Sequence, residues 1–162
     1  MRPFPFKETA MSRFNIAHHF KSLQPLFVLS KNLKSGGLEP AMIELVLTRV
    51  SQINGCCYCL DMHTKDARAA GETEQRLYLL AGWREAACYS ERERAALAWA
   101  EALTRLVPGD SVPDALYQQT SQLFNEKELV DLTLLVTLIN SWNRINLAAH
   151  TAGGDYQPGM FG

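Results

Sequence analysis

Apolar residues recur along this chain at helical spacing, and alternating β-branched runs are scarce. The pattern predicts an all-α protein, a compact helical bundle of about six to seven helices. Ser12 to Lys34 reads as one helix, bent or broken at Pro25 and ended by Gly36-Gly37. A second opens near Pro40, a good first-turn residue, and runs through Met42, Ile43, Leu45, Val46, Leu47 and Val50 to Ile53. Asn54-Gly55 is a short break. A third helix starts at Cys56 or Cys57 and ends at Gly71, and Thr73 then caps a short helix through Tyr78 and Leu80. Ser90-Glu91-Arg92-Glu93 is a capping box that opens a helix to Val107. After Pro108-Gly109-Asp110 comes a helix from Asp114 to Phe124. Asn125, with Glu128 at the third position, caps a last helix to about His150. The tail from Thr151 holds Gly153, Gly154, Pro158 and Gly159 and reads as irregular.

Composition narrows the class. A length of 162 residues fits one domain, 1–162, large enough to bury a core without staples. Apolar residues make up 47% and charged residues 20%, which excludes a disordered chain. A formal net charge of −1 leaves no basic excess to neutralise phosphates, so no nucleic-acid partner is expected. Met1 to Lys7 lacks the apolar core of a signal peptide. The stretch Leu129 to Ile139 is interrupted by Asp131, Thr133 and Thr137 and is too short to span a bilayer. A cytoplasmic protein with no membrane partner is the expectation. Met11, after a Pro- and Phe-rich decapeptide, is either an alternative start or part of an ordinary N-terminal arm. The last helix carries Leu132, Leu135, Val136, Leu138, Ile139 and Trp142 on more than one face, so it must be buried inside the domain or against another subunit.

The four cysteines carry the chemistry. In a reducing compartment a close pair reads as catalytic or metal-binding. Cys56 and Cys59 are three apart, and Cys59 and His63 four apart, so all three line one helical stripe. Cys57 points about 100° away and reads as a packing residue. Unpaired N–H groups and the helix dipole at a helix start favour the nucleophilic thiolate. Two sulfurs one turn apart can close a disulfide, one attacking an oxidant and the other resolving the sulfenic acid. A His one turn on can relay the proton to a carboxylate. Glu44, twelve residues before Cys56 on an otherwise apolar helix, is costly to bury without a partner. The Asn54-Gly55 turn would fold that helix back and bring Glu44 toward His63.

Other readings stay open at this level. Cys56, Cys59 and His63 could hold zinc with Cys57 or Cys88, although no second short-spaced ligand pair is present. Glu44 could form a surface ion pair with Arg49 or Arg68. His18, His19 and His150 lack a partner pattern, Cys88 reads as structural, and Trp142-Asn143-Arg144 as packing with a polar anchor.

The pattern Glu-x11-Cys-x2-Cys-x3-His, satisfied by Glu44, Cys56, Cys59 and His63, resembles the AhpD-like alkylhydroperoxidases of the carboxymuconolactone decarboxylase family. The likeness is strongest from Pro40 to Gly71. It implies an AhpD-like helical fold that forms homo-oligomers, and a peroxidase that needs no cofactor or metal. The implied partners are a hydroperoxide substrate and a dithiol or protein reductant. By the same resemblance Cys59 attacks the peroxide, Cys56 resolves it, and Glu44 and His63 relay protons. The best-known members carry a His where this chain has Tyr58. A phenol does not relay protons near neutral pH as imidazole does, so Tyr58 is either an auxiliary residue or core packing. Lactone decarboxylation, which gives the wider family its name, needs no cysteine pair. A non-catalytic redox sensor would form the disulfide without turnover.

Overall fold

The computed structural model describes residues 12–160, and the reading of Met11 as an alternative start lies outside them. Among the described residues the regular elements are all helical. Seven α-helices follow one another: α1 Phe20–Lys34, α2 Pro40–Asn54, α3 Cys57–Ala69, α4 Glu74–Leu79, α5 Glu91–Thr104, α6 Asp114–Ser121 and α7 Glu126–Ala149. Each expected helix is present, with shifted ends. The first does not begin at Ser12: Asn15 caps a separate 3-10 turn, Ile16–His19, and α1 runs uninterrupted through Pro25. The helices from Ser90 and Asp114 end at Thr104 and Ser121, short of Val107 and Phe124.

Helix α2 is the centre of the bundle. Every residue from Met42 to Ser51 is buried, because α3, α5 and α7 all pack against it. Ile43, Val46 and Val50 join Leu132, Val136 and Ile139 of α7 in one apolar cluster. Leu45 joins Ala67, Leu77, Leu80, Trp83 and Leu97 in a second. Helix α7 is thus buried chiefly within this chain, and Val130, Leu134 and Leu147 remain exposed on it. Both sequence-read capping boxes are formed, Ser90 with Glu93 and Asn125 with Glu128.

Two polar networks lock α2 in place. Arg49 Nε donates to Glu101 at 2.7 Å, and Trp83 and Arg84 donate to the same carboxylate at 3.0 and 2.6 Å. Burial raises the proton affinity of Glu101, but these donors more than offset it and hold the carboxyl below its ordinary range. At the other end, Asn54 donates to Asn140 and Asn143 of α7 at 3.0 and 2.8 Å, and Asn143 donates to Ser51 at 3.0 Å. This seam pins the end of α2 immediately before the cysteine motif. No described helix is long and apolar enough to cross a membrane.

Candidate active site

The site begins at a backbone reversal. Gly55 ends α2 in the left-handed region, φ 69°, where a side chain would be strained. The chain then turns back along α2, with Cys56 N donating to Ser51 O at 3.1 Å. Cys56 is the N-cap of α3, which settles the choice of start, and its sulfur accepts from Cys59 N at 3.4 Å. Cys56 and Cys59 are joined as a disulfide with Cα atoms 5.4 Å apart, inside the usual span of about 4.4–6.8 Å. Both are buried, and Asn146 Nδ2 of α7 donates to Cys59 Sγ at 3.8 Å.

The antiparallel packing of α2 on α3 brings Glu44 to His63. His63 Nδ1 lies 2.9 Å from Glu44 Oε2, and the two residues are only 6% and 8% exposed. Lys34 Nζ lies 3.4 Å from the other carboxylate oxygen. Burial pushes the Glu44 carboxyl up, but the hydrogen bond and charge of His63, helped by Lys34, outweigh it and leave the group below its ordinary range. A carboxylate only accepts, so His63 Nδ1 carries the proton and Nε2 is the ring atom left for proton transfer. The alternative ion pairs are not what forms: Arg49 binds Glu101, and Arg68 binds Glu74.

Tyr58 is half-buried and packs against the main apolar cluster. Burial, and then the charge of Asp61, push its phenol up, so it stays neutral. Cys57 is exposed rather than packed in the core, and it lies against the C-terminal strap. A Cβ on Gly153 would fall 2.9 Å from Cys57 Sγ, so only glycine fits there. Cys88 is exposed, as are His18, His19 and His150.

Four residues around the motif were not read from the sequence: Lys34, Asp66, Asn146 and Tyr156. Asp66 follows His63 by three on the same helix, and that spacing was a usable signal. Nothing local marks Asn146, on the last helix, or Tyr156, in the irregular tail. Ligand-type atoms of Glu44, His63 and Asp66 converge within 4.8 Å of one another. His63 Nδ1 and one Glu44 oxygen are already engaged with each other, and the Lys34 ammonium beside that carboxylate would repel a cation. Glu44 and His63 are therefore a hydrogen-bonded pair with Asp66 close by, a set distinct from the cysteine–histidine zinc set considered from sequence.

The all-helical fold places the chain in the AhpD-like class. The chain belongs to the carboxymuconolactone decarboxylase family, whose pattern it matches over residues 27–102. It is 48% identical over 120 residues to the protein YdfG of Bacillus subtilis (strain 168), covering 74% of this chain and 81% of that one. A crystal structure from Agrobacterium tumefaciens is similar at TM-score 0.83 and 34% identity, covering 90% of this chain and 99% of that one. That protein, ATU0492, is of unknown function and a candidate antioxidant defence protein AhpD. A peroxidase-related protein from Ralstonia eutropha JMP134, an alkylhydroperoxidase AhpD core, shares the fold at TM-score 0.75 and 20% identity, over 86% of this chain and 74% of that one.

Proposed function

We propose that this protein is a thiol-dependent peroxidase that reduces hydroperoxides through a Cys56–Cys59 couple. The observation that carries the reading is the buried Glu44–His63 hydrogen bond of 2.9 Å, one helical turn from a cysteine that is paired for disulfide formation. His63 Nε2 takes the proton of Cys59, and Glu44 fixes the tautomer and offsets the charge of the imidazolium. The Cys59 thiolate, in the first turn of α3, attacks one peroxide oxygen. The O–O bond breaks, the alkoxide leaves as alcohol with the proton from His63, and Cys59 becomes a sulfenic acid. Cys56 attacks that sulfur, the S–S bond forms, and water leaves. An external dithiol then reduces the couple by exchange and is itself oxidised. The name of the Agrobacterium relative, with its reference to AhpD, supports the same class of reaction.

A homo-oligomer belongs to this reading. Tyr117, Val130 and Leu134 are exposed apolar residues around an open cavity of about 650 Å³ that is also lined by Trp99, Phe124 and Leu129. Apolar surface gathered in that way suits a second copy of the chain.

The test is steady-state consumption of hydrogen peroxide and an alkyl hydroperoxide with several thiol donors, alongside thiol titration. Turnover that disappears in Cys59→Ser is expected. Disulfide formation with no turnover for any donor would leave a redox sensor instead. Light scattering at micromolar concentration should give a mass well above 18.1 kDa.

A further inference from the structure

Beyond α7 the chain continues as an irregular strap that lies back along α3. Gly154 N and Tyr156 N donate to Asp61 Oδ2 at 2.8 and 3.2 Å. Lys65 Nζ donates to the carbonyls of Gly154 and Tyr156 at 2.8 and 2.9 Å, and pairs with Asp61 at 2.8 Å. These contacts would suffice to staple the strap. The strap also delivers the buried phenol of Tyr156, 5% exposed, to Asp66, with its oxygen 2.9 and 3.1 Å from the two carboxylate oxygens.

Asp66 is not an ordinary surface acid. Its carboxylate lies within 4.8 Å of the facing atoms of both Glu44 and His63. Two carboxylates stand beside one imidazole, so the field at the ring depends on how each carboxylate is compensated. Each carboxylate has its own compensating group: Lys34 for Glu44, and Tyr156 for Asp66. Burial, and then Asp66 itself, push the Tyr156 phenol up, so it remains a neutral donor.

We propose that Tyr156 is a positioning residue of the site, acting through Asp66 to fix that carboxylate beside His63 and to weaken its field there. The groups that face His63 are then Cys59 and Asp66 from its own helix and Glu44 from α2. Lys34 of α1 acts through Glu44, and Tyr156 of the strap acts through Asp66. The proposal deepens the reading of His63 as the base, but its principal test does not require peroxide turnover.

The experiment is the titration of the His63 imidazole by NMR in the reduced full chain, in a Cys57→Ser, Cys88→Ser background, for wild type, Tyr156→Phe, Asp66→Asn and the double variant. Tyr156→Phe keeps the ring and removes the hydrogen bond to Asp66, together with the one between the phenol oxygen and the Gly159 backbone. It should raise the proton affinity of His63 by about three- to tenfold, the scale of one net hydrogen bond. Asp66→Asn should lower it, and Tyr156→Phe should then add nothing. The rate of Cys59 sulfenic acid formation against pH should shift in the same directions. Superimposable titrations of wild type and Tyr156→Phe would overturn the proposal, as would a Tyr156→Phe effect that persists in the Asp66→Asn background. Should Tyr156→Phe not fold, an unchanged titration in Asp66→Asn alone overturns it. A shifted titration with no turnover on any peroxide would refute the peroxidase reading and leave the positioning role standing.

Discussion

Glu44 and His63 stand on consecutive antiparallel helices and meet at 2.9 Å where neither is more than 8% exposed. Burying a carboxylate is unfavourable unless its charge is met by donors, and here His63 Nδ1 and Lys34 Nζ both meet it. If the pair works as one base, Glu44→Gln and His63→Gln should each slow Cys59 sulfenic acid formation by about 10²–10⁴-fold, the usual scale of general-base catalysis. The double variant should be little slower than either single one, since groups that act as a unit are non-additive. Stopped-flow oxidation of the four proteins with a sulfenic acid trap decides it. Full additivity would make Glu44 a structural partner only.

The same pair predicts how stability varies with pH. The folded carboxyl of Glu44 lies below its ordinary value of 4.5, so the unfolded chain binds that proton more readily. Its stabilising contribution is therefore complete above pH 4.5 and is lost as the pH falls through the lower folded value. Urea unfolding should show Glu44→Gln less stable than wild type at pH 7, with the gap closing in acid. The part owed to Lys34, whose side chain is half-exposed, should weaken with added salt. A gap that stays constant from pH 7 to pH 3 would show that the carboxylate charge contributes nothing.

The cysteines should separate by accessibility. Cys56 and Cys59 are paired and buried, whereas Cys57 and Cys88 are free and exposed. Alkylation of the native oxidised protein followed by peptide mapping should label Cys57 and Cys88 alone, and reduction should be needed before either motif cysteine reacts. In the reduced protein, Cys56→Ser should trap a dimedone-reactive sulfenic acid on Cys59, and Cys59→Ser should abolish it. Dimedone on Cys56 with activity retained would reverse the two roles. A Cys57–Cys59 crosslink would contradict the pairing.

What the sequence made legible was local. Helical period, capping boxes and turn glycines act within a few residues, and they located the seven α-helices of the described residues, with Cys56 at the start of α3 and Cys59 and His63 on it. The Glu44–His63 contact was also readable, because a short turn between two helices forces their faces together. Helix ends were less legible. Leu106 and Val107 are apolar and continue the pattern, yet α5 stops at Thr104, and both residues remain exposed. Cys57 was read as packing because it points away from the Cys56 stripe, but that side lies at the surface, next to Gly153 of a distant strap. Lys34, Asn146 and Tyr156 reach the site only through tertiary packing, which no local period encodes.

Among the described residues, one buried side-chain polar atom is left without a partner. Thr48 is fully buried on α2, one turn after Glu44, and its hydroxyl oxygen accepts and donates no hydrogen bond among the described residues. An unsatisfied buried polar atom costs about 1–3 kcal/mol. Valine has the shape of threonine with a methyl in place of the hydroxyl, so Thr48→Val removes that cost without opening a cavity. It should stabilise the protein by about 1 kcal/mol and raise the melting temperature by about 2–4 °C for a chain of this size. Thr48→Ala removes the methyl as well and leaves a void, so it should gain less than the valine variant or lose stability. Thermal and urea unfolding of the two variants separate the hydroxyl from the volume. A loss of stability in Thr48→Val would mean that the hydroxyl is satisfied in solution, for instance by a buried water, and would remove the cost assigned to it.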